Sequence, residues 1–392
     1  MEELQKQIEA YIDSKHDEII EKWRNLVNQE AFCADVEDTY NVANHVKALF
    51  EEAGVKCELI EPHENTPLVV CGVIGEDRPG QPVMLAGHYD TVFKKGFLET
   101  HPFVIDEEGH AHGPGCLDMK GGIVIAAYVI KALESIGYKD RPIKICFCGD
   151  EEAGKNHLYT AEVIKEAAKG CKVAFNMETG LPNNAVCTGR KGAAGGSFIT
   201  HGVSAHSGNA FEHGRNAVVE AAHKMIALDA LTNMETGTHV NVAIVNGGVM
   251  TNQVPDRCEV TWSVRFKSKE EIEKTLAAVD EIFAKTYVEG TTTEVGPIFK
   301  GNVFEENERN LALCEFVNKI SAADGYGEVG HAFLGGGSDA PNLQYHGAVT
   351  LCSCGVLGEW NHTDREYAIV DSMYTRAKMW CDVIRHIDEF SI

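Results

Sequence analysis

The hydrophobic positions of the chain follow two spacings, one typical of helices and one typical of buried strands. Up to Gln29, apolar residues recur every three to four positions, which predicts an amphipathic opening helix. The residues on its apolar side are Leu4, Ile8, Ile12, Ile19, Trp23 and Leu26. A second helix is expected from about Asp38 to Ala53, ended by Gly54. The apolar run Val83–Gly87 and the mostly apolar segment Ile143–Cys148 predict buried strands.

Predicted helices and strands alternate through the first 185 residues and again after residue 300. Such alternation predicts an α/β fold with a mainly parallel, mixed sheet and helices on both of its faces. Between them, residues 186–300 follow the order strand, helix, strand, strand, helix, strand, which is typical of a ferredoxin-like α+β unit. We therefore expect one domain formed by residues 1–185 and 301–392, and a second domain inserted at 186–300.

Polar residues suited to catalysis follow directly after several of the predicted strands. His88 and Asp90 close the first apolar run, Glu151 and Glu152 follow the second, and Glu178 follows a third strand. Open α/β sheets place their chemistry at the carboxyl ends of strands. Asp90 is close enough in sequence to orient the imidazole of His88, as acidic residues often do beside a metal-bound histidine.

The distribution of histidine and acidic residues allows a site for two metal ions. Zinc binds imidazole nitrogen and carboxylate oxygen, and a pair of such ions shares a bridging carboxylate and water. Residues that could supply this set are His88, Asp118, Glu152, Glu178 and His362. Glu151 then remains as a general base for the bridging water. Each residue alone is equally compatible with a surface charge, or with acids at a helix N-terminus, so the spacing leaves these alternatives open.

The net charge and the number of cysteines indicate which binding partners and which cellular compartment to expect. The formal net charge of −24 makes nucleic acid and anionic membranes poor partners. No apolar run is long enough to span a bilayer, and the N-terminus does not resemble a signal peptide. Thirteen cysteines in such a chain indicate a reducing, cytoplasmic location. We interpret Cys146, Cys148, Cys352 and Cys354 as core thiols, because residues two apart on a strand share a face.

The sequence lacks the signatures of two other protein classes, nucleotide-binding proteins and serine hydrolases. The glycine loop Gly335–Ser338 lacks the lysine expected of a phosphate-binding loop, so we do not predict nucleotide binding. Its backbone amides could cradle a carboxylate, or the loop could be a flexible turn. The chain contains no Gly-x-Ser-x-Gly sequence, which disfavours a serine hydrolase.

Several segments in the same order resemble one family over essentially the whole chain. The segments are Gly87–Val92, Asp118–Gly122, Gly149–Glu152 and His362–Glu366. They resemble the co-catalytic zinc metallopeptidase family that contains glutamate carboxypeptidase, peptidase T, succinyl-diaminopimelate desuccinylase, acetylornithine deacetylase and aminoacylase. One departure is Gly113-Pro114-Gly115, where the family often has Gly-Arg-Gly. Cys116, two residues before Asp118, is interpreted as a bystander thiol.

The resemblance implies two Zn²⁺ per chain, with Co²⁺ or Mn²⁺ as substitutes. It implies that His88 binds one metal, that His362 binds the other, and that Asp118 bridges them. Glu152 and Glu178 would complete one coordination shell each. The catalytic roles it implies are Glu151 as the base and Asp90 as the support of His88.

The resemblance also extends to the inserted domain, which matches the family's lid and dimerisation domain. It implies that His206 reaches the site of a partner chain in a homodimer and hydrogen-bonds the substrate carbonyl oxygen. Asn252 matches another substrate-contacting position. Arg265 is expected to hold a free substrate carboxylate, because its two-pronged guanidinium suits that group. The loop residues expected to position substrate with them are Gly335, Gly336, Gly337 and Ser338.

The expected function is that of a metal-dependent amidohydrolase. The substrate would be a short peptide or an N-acyl amino acid with a free carboxylate, and the activity would resemble glutamate carboxypeptidase. In the family, glutamate at the position of Glu178 is more typical of carboxypeptidases and deacylases than of aminopeptidases. The alternatives are an N-acyl amino acid deacylase of the acetylornithine or succinyl-diaminopimelate type and, in a different class, a metal-free binding protein that kept the fold.

Overall fold

The computed structural model of the chain describes residues 2–153 and 157–391, and these residues form two compact units. Unit 1 comprises Met1–Thr188, Glu306–Phe333 and Ser338–Ile392, and unit 2 comprises Gly189–Glu305 and Leu334–Gly337. The glycine loop therefore groups with unit 2, whereas the sequence placed it in the main domain. The reason is that Lys191 N donates to Leu334 O at 3.0 Å and the Arg190 guanidinium donates to Gly337 O at 2.8 Å.

The helices and strands are numbered in chain order. The helices are α1 (Glu2–Asp13), α2 (His16–Val27), α3 (Val36–Glu51), α4 (Gly121–Ser135), α5 (His157–Ala168), α6 (Ala217–Asp229), α7 (Lys269–Ala284), α8 (Glu308–Ala323), α9 (Ala340–Gln344) and α10 (Val370–Arg385). The strands are β1 (Lys56–Ile60), β2 (Val69–Ile74), β3 (Val83–His88), β4 (Val104–Ile105), β5 (His110–His112), β6 (Ile143–Cys148), β7 (Val173–Asn176), β8 (Val186–Arg190), β9 (Gly192–His201), β10 (Ala205–His206), β11 (His239–Gly247), β12 (Gln253–Val254), β13 (Arg257–Phe266), β14 (Thr292–Val295), β15 (Phe299–Lys300), β16 (His331–Leu334), β17 (Val349–Leu351), β18 (Gly358–Glu359) and β19 (Tyr367–Ile369).

The main sheet of unit 1 has the strand order β1-β2-β6-β3-β7-β17. Strand β3 runs parallel to both β6 and β7, and β17 runs parallel to β7, whereas β1 and β2 pair antiparallel. Val83 and Leu85 of β3 pack into one core cluster, and Met84 and Ala86 pack into another on the opposite face. The predicted mixed, mainly parallel sheet buried on both faces is confirmed.

The opening segment forms two helices where the sequence predicted one. α1 ends at Asp13 and α2 begins at His16, so the chain turns at Ser14 and Lys15. Ser14 Oγ donates to Tyr11 O at 2.7 Å, a local bond that competes with continued helix. The apolar periodicity persists through this turn because Ile8, Ile12, Ile19 and Trp23 all pack into the same core.

Unit 2 has the predicted order of a ferredoxin-like domain, β9-α6-β11-β13-α7-β14. Its sheet has the strand order β11-β13-β9-β14, and all neighbouring strands are antiparallel. The aromatic part of its core consists of Phe198, Trp262 and Phe266 from the sheet and Phe283 from α7. The prediction of an inserted α+β domain is confirmed.

None of the described helices is long and apolar enough to cross a lipid bilayer.

Candidate metal centre

Three adjacent strands of the main sheet deliver polar side chains to the same edge of unit 1. β3 ends at His88, β6 ends two residues before Asp150, and β7 ends two residues before Glu178. Because these strands are parallel neighbours in the order β6-β3-β7, their carboxyl ends lie side by side. This is the sheet edge where open α/β folds place their ligands.

His88 is buried at the centre of this edge and faces three carboxylates. Its Nε2 atom lies 3.2 Å from Asp118 Oδ1 and 3.4 Å from Glu178 Oε1. Its Nδ1 atom lies 3.2 Å from Asp90 Oδ1. Burial lowers the pKa of His88, but these three carboxylates outweigh burial and raise the pKa well above its ordinary value.

His362 faces the other oxygen of the same aspartate. Its Nε2 atom lies 3.2 Å from Asp118 Oδ2 and 2.7 Å from Glu152 Oε1. His362 adopts φ of 63°, a left-handed conformation that non-glycine residues rarely adopt. All the predicted metal ligands therefore converge, with Asp118 between the two histidines.

The converged residues fit a metal site better than a hydrogen-bonded cluster. His88 Nε2 and Asp118 Oδ1 are buried and lie 3.2 Å apart, but neither has a hydrogen-bond partner of suitable geometry among the described residues. Unpaired buried polar atoms are costly unless another ligand satisfies them. Imidazole nitrogen and carboxylate oxygen are ligands that zinc binds. Ligand atoms of His88, Asp118 and Glu152 lie within 4.8 Å of one another, as do those of His88, Glu151 and Glu178.

The loop that carries Asp118 is held by residues to which the sequence assigned no role. The carboxylate of Glu366 accepts hydrogen bonds from Leu117 N at 2.8 Å and Asp118 N at 3.0 Å. Asn361 Nδ2 donates to Asp118 Oδ2 at 2.8 Å. Burial, with the nearby charge of Asp118, raises the pKa of Glu366 to about 8. The only signal in the sequence that could have identified Asn361 and Glu366 is their position close to His362 in one short segment.

A close approach of backbone segments brings Asp118 and Glu178 together. α4 begins at Gly121, just after the turn that contains Asp118. A Cβ atom on Gly122 would lie only 1.8 Å from Met177 O, so only glycine lets α4 pack this closely against the residue before Glu178.

Glu151 lies beside the converged ligands, in a turn fixed by Asp90. The Asp90 carboxylate accepts hydrogen bonds from Glu151 N at 3.3 Å and Glu152 N at 3.0 Å. One aspartate thus orients His88 and also the turn that carries Glu151. Burial and the neighbouring carboxylates of Glu178 and Glu152 raise the pKa of Glu151 well above its ordinary value, although His88 opposes them.

In unit 2, His206 on β10 lies close to Asn252, the residue before β12. His206 is opposite Gln253 in the β10–β12 pair, and Asn252 O accepts from Ser207 N at 2.9 Å. His206 Nδ1 accepts hydrogen bonds from Gly208 N and Asn209 N at 3.1 and 3.2 Å. The neutral imidazole therefore carries its proton on Nε2, and this exposed atom is a hydrogen-bond donor.

The remaining predicted substrate residues lie elsewhere in unit 2 or directly after it. Arg265 is exposed near the end of β13. The first residue of this strand, Arg257, is the one nearest in sequence to Asn252, and it lies about 26 Å along the strand from Arg265. Gly335, Gly336 and Gly337 are exposed, and Ser338 is the first residue back in unit 1. A Cβ atom on Gly335 or Gly337 would meet nothing within 4 Å, so their backbone is open to a ligand but does not require glycine.

The cysteines near the site are buried thiols. Cys116 Sγ donates to Ala111 O at 3.2 Å, and burial raises its pKa well above the ordinary value. Cys146 lies in a core cluster and contacts Cys71, with 3.8 Å between the sulfur atoms. No disulfide joins any of the thirteen cysteines, all of which lie in the described part of the chain.

Comparisons with known proteins agree with this geometry. Carboxypeptidase G2 from Pseudomonas sp. (strain RS-16) is 26% identical over 380 residues, covering 93% of this chain and 89% of that protein. A succinyl-diaminopimelate desuccinylase from Sulfurovum sp. (strain NBC37-1) is 22% identical over 333 residues, covering 79% and 85%. Among solved structures, a tripeptidase from Staphylococcus aureus matches with a TM-score of 0.80 at 18% identity, covering 96% and 99% of the two chains.

The family model of peptidase family M20/M25/M40 matches residues 84–386. This range begins in β3 and includes every residue that converges around Asp118. The chain therefore belongs to peptidase family M20/M25/M40, and it is a metal-dependent hydrolase.

Proposed function

We propose that this protein is a two-zinc hydrolase that cleaves the amide bond of short peptides or N-acyl amino acids bearing a free carboxylate, with glutamate-carboxypeptidase-like activity. The observation that carries the proposal is the position of Asp118, whose two oxygens each lie 3.2 Å from Nε2 of a different histidine. A carboxylate placed in this way is suited to bridge two metal ions.

In the proposed site, His88 and Glu178 hold one zinc ion, and His362 and Glu152 hold the other. Co²⁺ or Mn²⁺ could substitute, because the ligands are nitrogen and oxygen atoms that these ions also accept. When bound, the metals polarise the scissile carbonyl group and lower the pKa of water. Unpaired His88 Nε2 and Asp118 Oδ1 support this assignment.

Glu151 acts as the general base in the proposed mechanism. Its carboxylate lies within 4.8 Å of ligand atoms of His88 and Glu178, but each proposed zinc already has a histidine, a glutamate and Asp118. The Glu151 carboxylate is therefore available to take a proton from the attacking water. It then returns this proton to the leaving amine. Asp90 fixes the turn through two backbone N–H groups, so it holds the base at a constant position relative to His88.

Substrate recognition is assigned to His206, Asn252, Arg265 and the loop Gly335–Ser338. The Nε2–H group of His206 would donate to the carbonyl oxygen as negative charge develops there. Arg265 would pair with the free carboxylate. His206 is in the separate β10–β12 pair, and Arg265 is near the far end of β13 in the main sheet of unit 2. Their joint use in one site therefore favours a contribution from two chains.

The proposed assembly is a homodimer through unit 2. β11 is an edge strand of its sheet and leaves Ile244 and Val245 exposed. Ile226 on α6 is also exposed, with 70% of its surface accessible. Edge strands with apolar side chains pair readily with a second copy across a two-fold axis.

A cytoplasmic location is also proposed. The thirteen cysteines form no disulfide within the described residues, which supports a reducing compartment.

The substrate class is tested by a screen of the zinc-loaded protein. Dipeptides and N-acyl amino acids that end in glutamate would be compared with the same compounds carrying a carboxy-terminal amide. Cleavage of the free acids over the amides supports the proposal. Preference for N-acetyl or N-succinyl amino acids over peptides would favour the deacylase alternative, which the desuccinylase relative makes worth testing. Binding without turnover would favour a binding protein.

A further inference from the structure

A second cluster of buried polar side chains lies behind the turn that carries Glu151. Asp150 and Asp339 are almost completely buried, with 0% and 2% of their surfaces exposed. His157 lies between them: its Nδ1 atom is 3.1 Å from Asp150 Oδ1, and its Nε2 atom is 2.7 Å from Asp339 Oδ1. Both partners are acceptors, so both ring nitrogens donate and the imidazole is protonated.

The hydrogen bonds of this cluster are complete. Thr160 Oγ1 donates to Asp150 Oδ2 at 2.8 Å, and Cys148 Sγ donates to Asp339 Oδ2 at 3.2 Å. Every oxygen of the two carboxylates therefore has a donor. Cys148, Asp150 and His157 lie close enough to hold a metal ion, but an ion would have to displace these bonds. The cluster is thus complete as a hydrogen-bonded ion network.

We propose that His157 is a positioning residue that clamps the Asp150–Glu152 turn to Asp339 and so fixes the carboxylate of Glu151. This inference rests on the proposed role of Glu151 as the base. The turn is then held on two sides, because Asp90 binds its backbone N–H groups and His157 binds the side chain of Asp150.

The clamp has a consequence for catalysis that differs from its effect on metal binding. Glu152 is anchored independently by its contact with His362 at 2.7 Å. Loss of the clamp should therefore leave the metals bound while Glu151 becomes less well placed. A general base that is misplaced lowers kcat, whereas the binding of substrate changes little.

The test uses three substitutions of His157 in the full-length, metal-loaded protein. His157→Ala removes both bonds, His157→Asn keeps a donor near Nδ1, and His157→Gln keeps one near Nε2. We expect His157→Ala to lower kcat at least about tenfold with KM changed less than about twofold. The Asn and Gln variants should retain intermediate kcat values, and all three should bind as much metal as the wild-type protein.

Two further measurements separate positioning from general stability. Because His157 and Asp339 act as one unit, adding Asp339→Asn to His157→Ala should cost little beyond the single change. A crystal structure of His157→Ala should show the Glu151 carboxylate displaced by more than about 0.5 Å. The matched control is His201→Ala, which removes an exposed histidine 3.0 Å from Glu294 in unit 2 and should leave kcat unchanged.

The outcomes are distinct for the inference and for the proposed function. If the wild-type protein turns over substrate and the His157 variants keep its kcat, the inference is wrong and the function stands. Loss of one metal equivalent in His157→Ala would also overturn it, in favour of a further metal site. If the wild-type protein binds metal but hydrolyses none of the substrates, the proposed function fails. Whatever the activity, an undisplaced Glu151 carboxylate in the His157→Ala crystal structure would show that His157 does not position it.

Discussion

The Nδ1 atom of His88 lies 3.2 Å from Oδ1 of Asp90, and both side chains are buried. This contact and a hydrogen bond of Nδ1 to the backbone oxygen of Asp90, also at 3.2 Å, fix the imidazole so that Nε2 points toward Asp118 and Glu178. Acidic residues behind a metal-bound histidine typically orient the ring and raise its basicity. Since Asp90 also holds the backbone of Glu151 and Glu152, one residue connects the proposed metal ligand His88 and the proposed base Glu151.

Asp90→Asn is expected to lower both metal affinity and kcat. The amide offers only one acceptor oxygen, so the bond to His88 or those to the Glu151 turn must weaken. We expect a loss of about ten- to a hundredfold in metal affinity, measured by competition with a chelating dye. The control is Asp106→Asn, an exposed aspartate paired with His112, which should leave both quantities unchanged. Wild-type affinity in Asp90→Asn would contradict the assigned role.

Glu151→Gln is expected to separate metal binding from turnover. Gln has nearly the same shape but cannot accept a proton, so kcat should fall by at least about a hundredfold. Metal content, measured by plasma mass spectrometry, should stay at the wild-type value because Glu151 belongs to neither proposed ligand set. Unchanged turnover would remove Glu151 from the mechanism. The matched control is Glu162→Gln, which alters an exposed carboxylate on α5.

Removal of a single histidine should distinguish two metal positions. His362→Ala is expected to lower the metal content by about one equivalent per chain, because Asp118, His88 and Glu178 still form one site. Chelation of the wild-type protein should abolish activity, and added Zn²⁺ should restore it. A His362→Ala protein that retains the full metal content would argue against its role as a ligand.

The proposed homodimer gives a prediction for mixtures of two variant chains. A Glu151→Gln chain lacks the base but supplies His206, and a His206→Ala chain has the opposite defect. If His206 serves the partner's site, mixing the two inactive proteins in equal amounts should restore about a quarter of wild-type activity, since half of the random dimers then contain one intact site. No recovery after confirmed subunit exchange would place His206 in its own chain's site or outside the mechanism.

The edge strand β11 provides an independent test of the same assembly. Val245→Asp together with Ile226→Asp should convert the proposed dimer to a monomer in sedimentation velocity experiments, because each chain would bury two negative charges at the proposed interface. The control is Val295→Asp, which alters an exposed valine on β14 at the opposite edge of the sheet. A variant that remains dimeric would exclude this surface as the interface.

A buried ion pair in unit 2 gives a prediction of pH-dependent stability. Glu220 accepts hydrogen bonds from Tyr287 N at 2.8 Å and Val288 N at 2.7 Å, and lies 3.2 Å from Lys224 Nζ. Burial opposes ionisation, but these partners outweigh it and hold the pKa of Glu220 below its ordinary value of 4.5. The unfolded chain therefore binds this proton more readily, so the free energy of unfolding should fall as pH drops from 4.5 through the folded-state pKa.

Glu220→Gln tests this dependence. It should lower the free energy of unfolding at pH 7 by roughly 1–3 kcal/mol, and make the loss of stability in acid shallower, as measured by urea unfolding between neutral and acidic pH. Glu259→Gln, which alters an exposed pair with Arg257, should change stability by less than about 0.5 kcal/mol. An acid dependence identical to wild type would show that Glu220 does not contribute it.

The strand ends that carry His88, Glu151 and Glu178 could be predicted from the sequence because apolar runs and their boundaries are local properties. The order of elements in the inserted domain followed for the same reason. The division of the opening segment into α1 and α2 could not be predicted, because both helices bury the same apolar stripe and the turn at Ser14 leaves that periodicity intact. The grouping of the glycine loop with unit 2 depends on bonds from Arg190 and Lys191, which are remote in sequence.

The sequence by itself determined which side chains were available for chemistry and on which ends of strands they lie, since these depend on residue type and on local periodicity. Only the tertiary structure decided that His88 and His362 face opposite oxygens of Asp118, that Glu366 and Asn361 hold the Asp118 loop, and that His157 joins Asp150 to Asp339. These contacts connect segments that are far apart along the chain. Their distances depend on how helices and strands pack, and a local pattern of residues does not determine this packing.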